Sequence, residues 1–361
     1  MTKPFASLKI GPYLIPHPII QGGMAVKVSG ANLAGAVANA GGMGVISSAG
    51  LGFKSPYFRK MRFPQANLLA LIDELAIARV ISPEGIIGVN VMACTKDYLD
   101  LAQTAARNGA QVIIAGAGVP LQLPESTQNY PQVALVPMVA NFSCAQKICQ
   151  HWQQEYHRLP DALIVENTKC IGGHVATDVN QDDCGCDELK NLLHTLKKYL
   201  RNQWGINIPL IVAGGVWHRE DIAKMLEFGA DGVQMGTRFI TTVECDADWR
   251  YKMFHLNATP EDLVIVPSPV GKPGRAIRNT FAEKAMAASP ELEQRCVANC
   301  LESCLCRDEK ETYCLVQALA NAASGDLDNG LVFSGSNLGQ AERIMPVAEL
   351  MAELTGALVA I

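Results

Sequence analysis

The chain has 361 residues, 49% of them hydrophobic, so it can bury a large core, and length alone leaves one large barrel or two smaller domains open. Its formal net charge of -5, with both signs dispersed and no run of lysines and arginines, argues against a nucleic-acid partner. The start "MTKPFASLKIGPYLIPHPII" has no basic segment leading into a long apolar core, and no later apolar run reaches membrane-spanning length, so the expectation is a soluble, cytoplasmic protein away from membranes.

To about residue 240, short β-branched runs alternate with segments of helical apolar spacing. The expected strands are residues 18–21, 44–47, 86–92, 111–115, 133–139, 161–166, 209–214 and 231–236. Their near-continuous apolar character suits parallel strands covered on both faces. "SGANLAGAVANAGG" reads as one crossover helix, with Leu33, Ala36, Val37 and Ala40 on one face and Gly41 and Gly42 stopping it. "REDIAKMLEFGA" reads as another, with Ile222, Met225, Leu226 and Gly229 in series. The pattern predicts a (β/α)8 TIM barrel, with a doubly wound open sheet as the alternative.

Two features exceed a bare barrel. The segment between the second and third strands, "GLGFKSPYFRKMRFPQANLLALIDELAIARVISP", is longer than one connection needs. After the barrel of residues 1–240, residues 241–361 continue no strand-helix pattern and read as a helical and loop-rich extension packed on the barrel, with a cysteine-rich segment at 296–314.

In such a barrel the loops at the C-terminal ends of the strands build the active site, and those after strands seven and eight often bind phosphate through backbone amides. "AGGV" (213–216) and "MGTR" (235–238) fall at those two places. Gly214 and Gly215 lack the Cβ atoms that would block close approach, and Gly236 with Thr237 offers further amides and a hydroxyl at a helix start. Glycine also simply ends strands; the two loops together, in this order, favour a phosphate. "QGGMA", at the end of the first strand, gives backbone that can lie flat against a ring, although alone it reads as a plain turn.

"PIIQGGMAV", "LAGAVANAGGMGVI", "GVNVM", "GGH", "IPLIVAGGV" and "GADGVQMGTRF" together resemble the nitronate monooxygenase (2-nitropropane dioxygenase-like) family, which also contains FMN-dependent type II enoyl-acyl carrier protein reductases. The resemblance continues through "ECDA", "SPVGKPGRAIRN", "YCL" and "ALANAASGDLDNGLVFSGSN". It implies FMN, its phosphate on Gly214, Gly215, Gly236 and Thr237 and its ring near Gly22, Gly23 and Met24. Asn90, Glu166 and Gln21 would be polar contacts, and Gly173, Ala213, Gln234 and Met235 complete the implied cofactor-binding set.

A lone histidine is more often a structural hydrogen-bonder than a catalyst, but His174 follows paired glycines just beyond the sixth strand, at the barrel mouth. The resemblance makes it the residue acting on substrate, as a base for the α-proton of a nitroalkane or a polar group near an acyl chain. Cys170 has no paired base in the sequence and reads as a passive thiol. The chain departs from the family pattern around this histidine: "NTKCI" stands where a shorter segment like "GPLA" is usual, and "VATDVNQDDCGCDEL" follows in place of an apolar, glycine-rich continuation. The loop over the substrate is therefore altered.

Of the 12 cysteines, five fall in "CVANCLESCLCRDEKETYC". Cys296, Cys300, Cys304 and Cys314, with Cys306 as an alternative ligand, are candidates for an iron-sulfur cluster or zinc, and the first three have helical spacing. The spacing matches no standard zinc or ferredoxin pattern, and small buried side chains are the competing reading. Cys184 and Cys186 are candidates for redox activity or a second metal, although "CGC" is too strained for an easy local disulfide.

The leading expectation is an FMN-dependent oxidoreductase of the nitronate monooxygenase type that oxidises nitronate-like carbanions with O2. The alternatives are an NAD(P)H-dependent FMN reductase of enoyl thioesters or quinones, and an iron-sulfur and FMN electron-transfer or redox-sensing protein. The expected partner is a small-molecule or acyl-thioester substrate, with a homo-oligomer compatible with the sequence. No separate dinucleotide fingerprint is visible.

Overall fold

Residues 4–175, 185–292 and 295–356 are described in the computed structural model of the chain. Eight parallel strands form a closed barrel: β1 (Ile19–Gln21), β2 (Met43–Ser47), β3 (Ile86–Met92), β4 (Val112–Gly116), β5 (Ala134–Val139), β6 (Leu163–Glu166), β7 (Leu210–Ala213) and β8 (Gly232–Met235). β8 closes the ring against β1, with Gln234 opposite Ile20. The open-sheet alternative is thereby eliminated.

The unbroken apolar strands are explained by two cores on opposite faces. Ile20, Val45, Ile114, Val136, Ile164 and Ile211 fill the barrel interior. Ile19, Ile46, Val89, Ile113, Leu135 and Val212 face outward into a larger core beneath the helices. A hairpin that the periodicity did not signal, Leu8–Ile10 paired with Tyr13–Ile15, adds Leu8, Ile10 and Ile15 to the interior core.

The outer elements follow the strands in turn: α1 (Ala31–Asn39), α2 (Phe63–Ile81), α3 (Tyr98–Arg107), α4 (Leu123–Ser126), α5 (Phe142–Tyr156), α6 (Cys186–Trp204), α7 (Arg219–Glu227) and the single turn α8 (Thr237–Ile240). The extension then supplies α9 (Trp249–Asn257), α10 (Thr280–Met286), α11 (Leu305–Asp308), α12 (Leu315–Ala323) and α13 (Val347–Thr355). α13 packs against both α1 and α7, with Val347, Leu350, Met351 and Leu354 in the outer core. It therefore fills the position that the short α8 leaves open.

The extension also caps the barrel's first helix. α1 begins at Gly30, which has no side chain to accept its first amides. Asp246, from the "ECDA" motif, accepts from Gly30 N at 2.8 Å, Leu33 N at 3.1 Å and Asn32 N at 3.2 Å. Glu74 of α2 accepts from Ala31 N at 2.6 Å and pairs with Lys27 at 2.6 Å. A Cβ at position 30 would lie 2.7 Å from the Glu74 carboxylate, which explains the glycine. Asp246→Ala strips this cap, and denaturant unfolding is expected to show a loss of about 2 kcal/mol, at the upper end for an N-cap because three amides lose their acceptor together.

Candidate active site

The C-terminal ends of the strands open into a cavity of about 1020 Å³ covered by the extension. The β7 end carries Gly214 and Gly215 at φ +99° and +78°, a region that side-chain-bearing residues rarely adopt. A Cβ on Gly214 would lie 3.0 Å from Ile171 N and 3.1 Å from Asn167 O, so the loop leaving β6 closes directly over this turn. The Gly215 amide has no acceptor among the described residues. At the β8 end, a Cβ on Gly236 would meet only Met24, at 3.6 Å from its Sδ. Thr237 Oγ1 accepts from Gly335 N at 2.9 Å, tying this end to the extension.

At the β1 end, Gly22 N donates to Met235 O at 2.8 Å. Gly23 faces Asn90 so closely that a Cβ would come within 2.5 Å of the Asn90 Cβ. Gly22, Gly23, Met24, Asn90, Glu166, Gly173, Ala213, Gly214, Gly215, Gln234, Met235, Gly236 and Thr237 all line the cavity. Gln21 does not. It is fully buried, its Oε1 accepts from Val45 N at 3.0 Å and its Nε2 donates to Gly22 O, so its polar atoms are committed to barrel closure.

Two titratable groups meet the cavity from the β6 side. Glu166 ends its strand, and burial pushes its carboxyl above the usual carboxylate range, partly offset by Lys272. His174 sits on the short strand Gly173–His174, which pairs antiparallel with Gly274 and Arg275 of the extension. Its Nε2 lies 2.8 Å from Ser268 Oγ, and its ring meets Phe333 edge-on at 5.3 Å. Burial, with a smaller contribution from Lys272, lowers its pKa to about 4, so the imidazole is neutral at pH 7. Arg275, itself buried, donates to the carbonyls of Ile171 and, at 2.9 Å, Lys169. It thereby holds the loop that delivers the histidine.

Ser268, Lys272, Arg275 and Phe333 lie in the motifs that carry the family resemblance, but nothing in their local pattern marks a role for them. Their spacing from His174 in the chain hides the pairing of the two strands.

Of the five cysteines of segment 296–314, only Cys300 lines the cavity. Residues 296–304 are not helical: Cys304 caps the single turn α11, and Cys314 caps α12. Among the described residues no group of three or more histidine, cysteine or acidic side chains is arranged to hold a metal ion. The expected ligand set of Cys296, Cys300, Cys304 and Cys314, with Cys306 as alternative, therefore gains no support from the described residues. These side chains pack with Val26, Leu301 and Val316 in an apolar cluster, and burial pushes the Cys300 and Cys306 thiols up to about 12. Cys184 lies outside the described residues, and Cys186 begins α6. Cys170 is buried beside Gly215, its Sγ 3.3 Å from where a Cβ would lie.

The residues present fit a flavin mononucleotide. Positive-φ glycines expose backbone at one end of the cavity, and Gly23 removes a side chain beside Asn90. Gln234 Oε1 is buried with no hydrogen-bond partner among the described residues, an acceptor for which a polar ligand would compensate.

Comparison with known proteins agrees with this geometry. The chain is 29% identical over 282 residues to (3aS,4S,5R,7aS)-5-hydroxy-7a-methyl-1-oxo-octahydro-1H-indene-4-carboxyl-CoA dehydrogenase of Mycobacterium tuberculosis, covering 76% of this chain and 67% of that one. It is 26% identical over 313 residues to a probable nitronate monooxygenase of Staphylococcus saprophyticus, covering 81% and 84% of the two chains. The solved structure of FabK from Thermotoga maritima superposes with a TM-score of 0.71 at 27% identity, over 95% of this chain and 93% of that one. A nitroalkane oxidase from Streptomyces ansochromogenes shares the fold with a TM-score of 0.67 at 20% identity, over 95% and 97% of the two chains. Residues 6–356 match the nitronate monooxygenase family model, so the chain belongs to that family of FMN-dependent oxidoreductases.

Proposed function

We propose that the protein binds FMN between its β1, β7 and β8 ends and oxidises alkyl nitronates with O2. The observation that carries this reading is a neutral, half-buried His174 held at the mouth of a glycine-lined cavity. Gly214, Gly215, Gly236 and Thr237 would take the phosphate, and Gly22, Gly23, Met24, Asn90, Glu166 and Gln234 would surround the ring. Bound there, FMN would supply an electron acceptor for the substrate carbanion and a site for reaction with O2.

The protein's own contribution is proton handling and exclusion of water. With its proton on Nε2, His174 donates to Ser268 Oγ and leaves Nδ1 as the basic nitrogen that takes the α-proton of a neutral nitroalkane. A nitronate arrives already ionised and does not need that step. The paired strands of the extension fix the imidazole, because Gly274 and Arg275 hold the histidine's backbone while Ser268 and Phe333 hold its ring.

A second reading, NAD(P)H-dependent reduction of an enoyl thioester, is favoured by the likeness to FabK and to the carboxyl-CoA dehydrogenase of Mycobacterium tuberculosis, whose name carries a thioester. Oxygen uptake with propyl-1-nitronate, measured beside NADH or NADPH oxidation with crotonyl thioester, separates the two. Uptake with nitronate and no pyridine-nucleotide turnover supports the first reading; the reverse result replaces it with the second.

A further inference from the structure

The cavity is too large and too unevenly lined for a flavin and a two- or three-carbon substrate alone. A flavin mononucleotide occupies on the order of 400 Å³, within the range of drug-sized ligands. Several hundred of the 1020 Å³ remain. The glycine loops of β7 and β8 bound one side. On the other, an apolar wall is assembled from the long β2–β3 connection, the cysteine-rich segment and α12. Its contributors include Phe63, Val270, Leu301, Val316 and Leu319. A Cβ on Gly50 would lie 2.8 Å from Val316 Cγ2, so this wall is closely fitted to the barrel mouth.

One basic side chain lining the cavity is unpaired among the described residues. Lys272 lines the cavity and makes no ion pair or hydrogen bond among the described residues. The turn that carries it also carries Ser268, whose carbonyl accepts from Gly271 N at 3.0 Å and whose hydroxyl meets His174. Pro273 O then accepts from Val175 N at 2.9 Å, so the lysine is fixed in the chain directly beside the histidine strand. Its ammonium acts electrostatically on Cys94, Cys144, Glu166 and His174, which follow or end three different barrel strands. The other basic side chain lining the cavity, Arg238, is paired with Glu353 at 3.0 Å and lies over the Trp217 ring at 4.8 Å. His174 is neutral and supplies no positive charge.

We propose that the cavity selects an amphipathic organic anion, with Lys272 holding the charged head beside His174 and the wall of Phe63, Val270, Leu301, Val316 and Leu319 taking an apolar body of medium length. This deepens the proposed function, since a nitronate is itself an anion with its charge shared over two oxygens. It makes short nitronates poor representatives of the substrate class.

Calorimetric titration of the flavin-loaded protein with octanoate, acetate and octanol tests the proposal without turnover. Octanoate is expected to bind at least about 30-fold more tightly than acetate, because its six extra methylenes enter the apolar side. Lys272→Met weakens octanoate by on the order of tenfold and leaves octanol unchanged, and Lys272→Arg restores octanoate. Leu319→Trp, which fills the chamber, weakens octanoate and spares acetate. Equal binding of octanoate and octanol to the wild type, indifference of octanoate to Lys272→Met, or binding of octanoate no tighter than acetate overturns it. A protein that purifies without flavin yet shows the expected pattern would overturn the cofactor reading and leave the anion site standing.

Discussion

His174→Ala is expected to lower turnover of a neutral nitroalkane by on the order of 10² to 10⁴, the contribution of a positioned general base, while flavin content stays unchanged. Turnover of the preformed nitronate falls far less, because its α-proton has already gone. Steady-state oxygen uptake with both forms of one substrate measures the difference, and loss of flavin from the variant would show that the residue is structural. The pH dependence follows from the same environment. Burial, helped by Lys272, depresses the imidazole from 6.5 to about 4, so the base form persists through neutrality. Wild-type activity on the nitroalkane therefore drops only as pH falls through about 4. The fold shares this dependence: His174 and His255 are both depressed to about 4 by burial, so the stability they contribute is complete above 6.5 and lost as pH falls toward 4.

Gly214→Ala is the second large effect. At φ +99° any side chain is strained, and here the added Cβ would also lie 2.7 Å from Ile171 Cγ2 and 3.0 Å from its backbone nitrogen. Strain of this kind costs about 1–3 kcal/mol. It falls on the turn offered to the phosphate, so the flavin dissociation constant should rise on the order of 10- to 100-fold. Equilibrium dialysis of FMN against the variant, with thermal unfolding as a control, checks this. Unchanged flavin affinity in a folded variant would place the phosphate elsewhere.

The barrel was legible because parallel strands buried on both faces leave a strong mark. The eight expected strands match those observed to within two residues at each end. The glycine turns were legible for a related reason: only glycine tolerates φ +99° and +78° at the end of β7. Gln21 shows the limit of such reasoning. It stands in a motif whose neighbours line the cavity, but its side chain is fully buried and its Oε1 accepts from Val45 N.

The extension was the least legible part, because its roles depend on contacts across long stretches of chain. The approach of Ser268 to His174 spans 94 positions, and that of Asp246 to Gly30 spans 216. Local pattern also misled at Cys296, Cys300 and Cys304, whose helical spacing corresponds to no helix. There the capping of α11 and α12 and the packing against Val26 and Val316 decide the backbone path.

The most direct test of the account is the cofactor content of the protein purified under anaerobic conditions. The absorbance spectrum, identification of flavin released on denaturation, and assay of iron and sulfide together read it. About one FMN per chain is expected, bleached on addition of an alkyl nitronate, with neither iron nor sulfide above background. Protein without flavin, or with iron and sulfide in stoichiometric amounts, would contradict it.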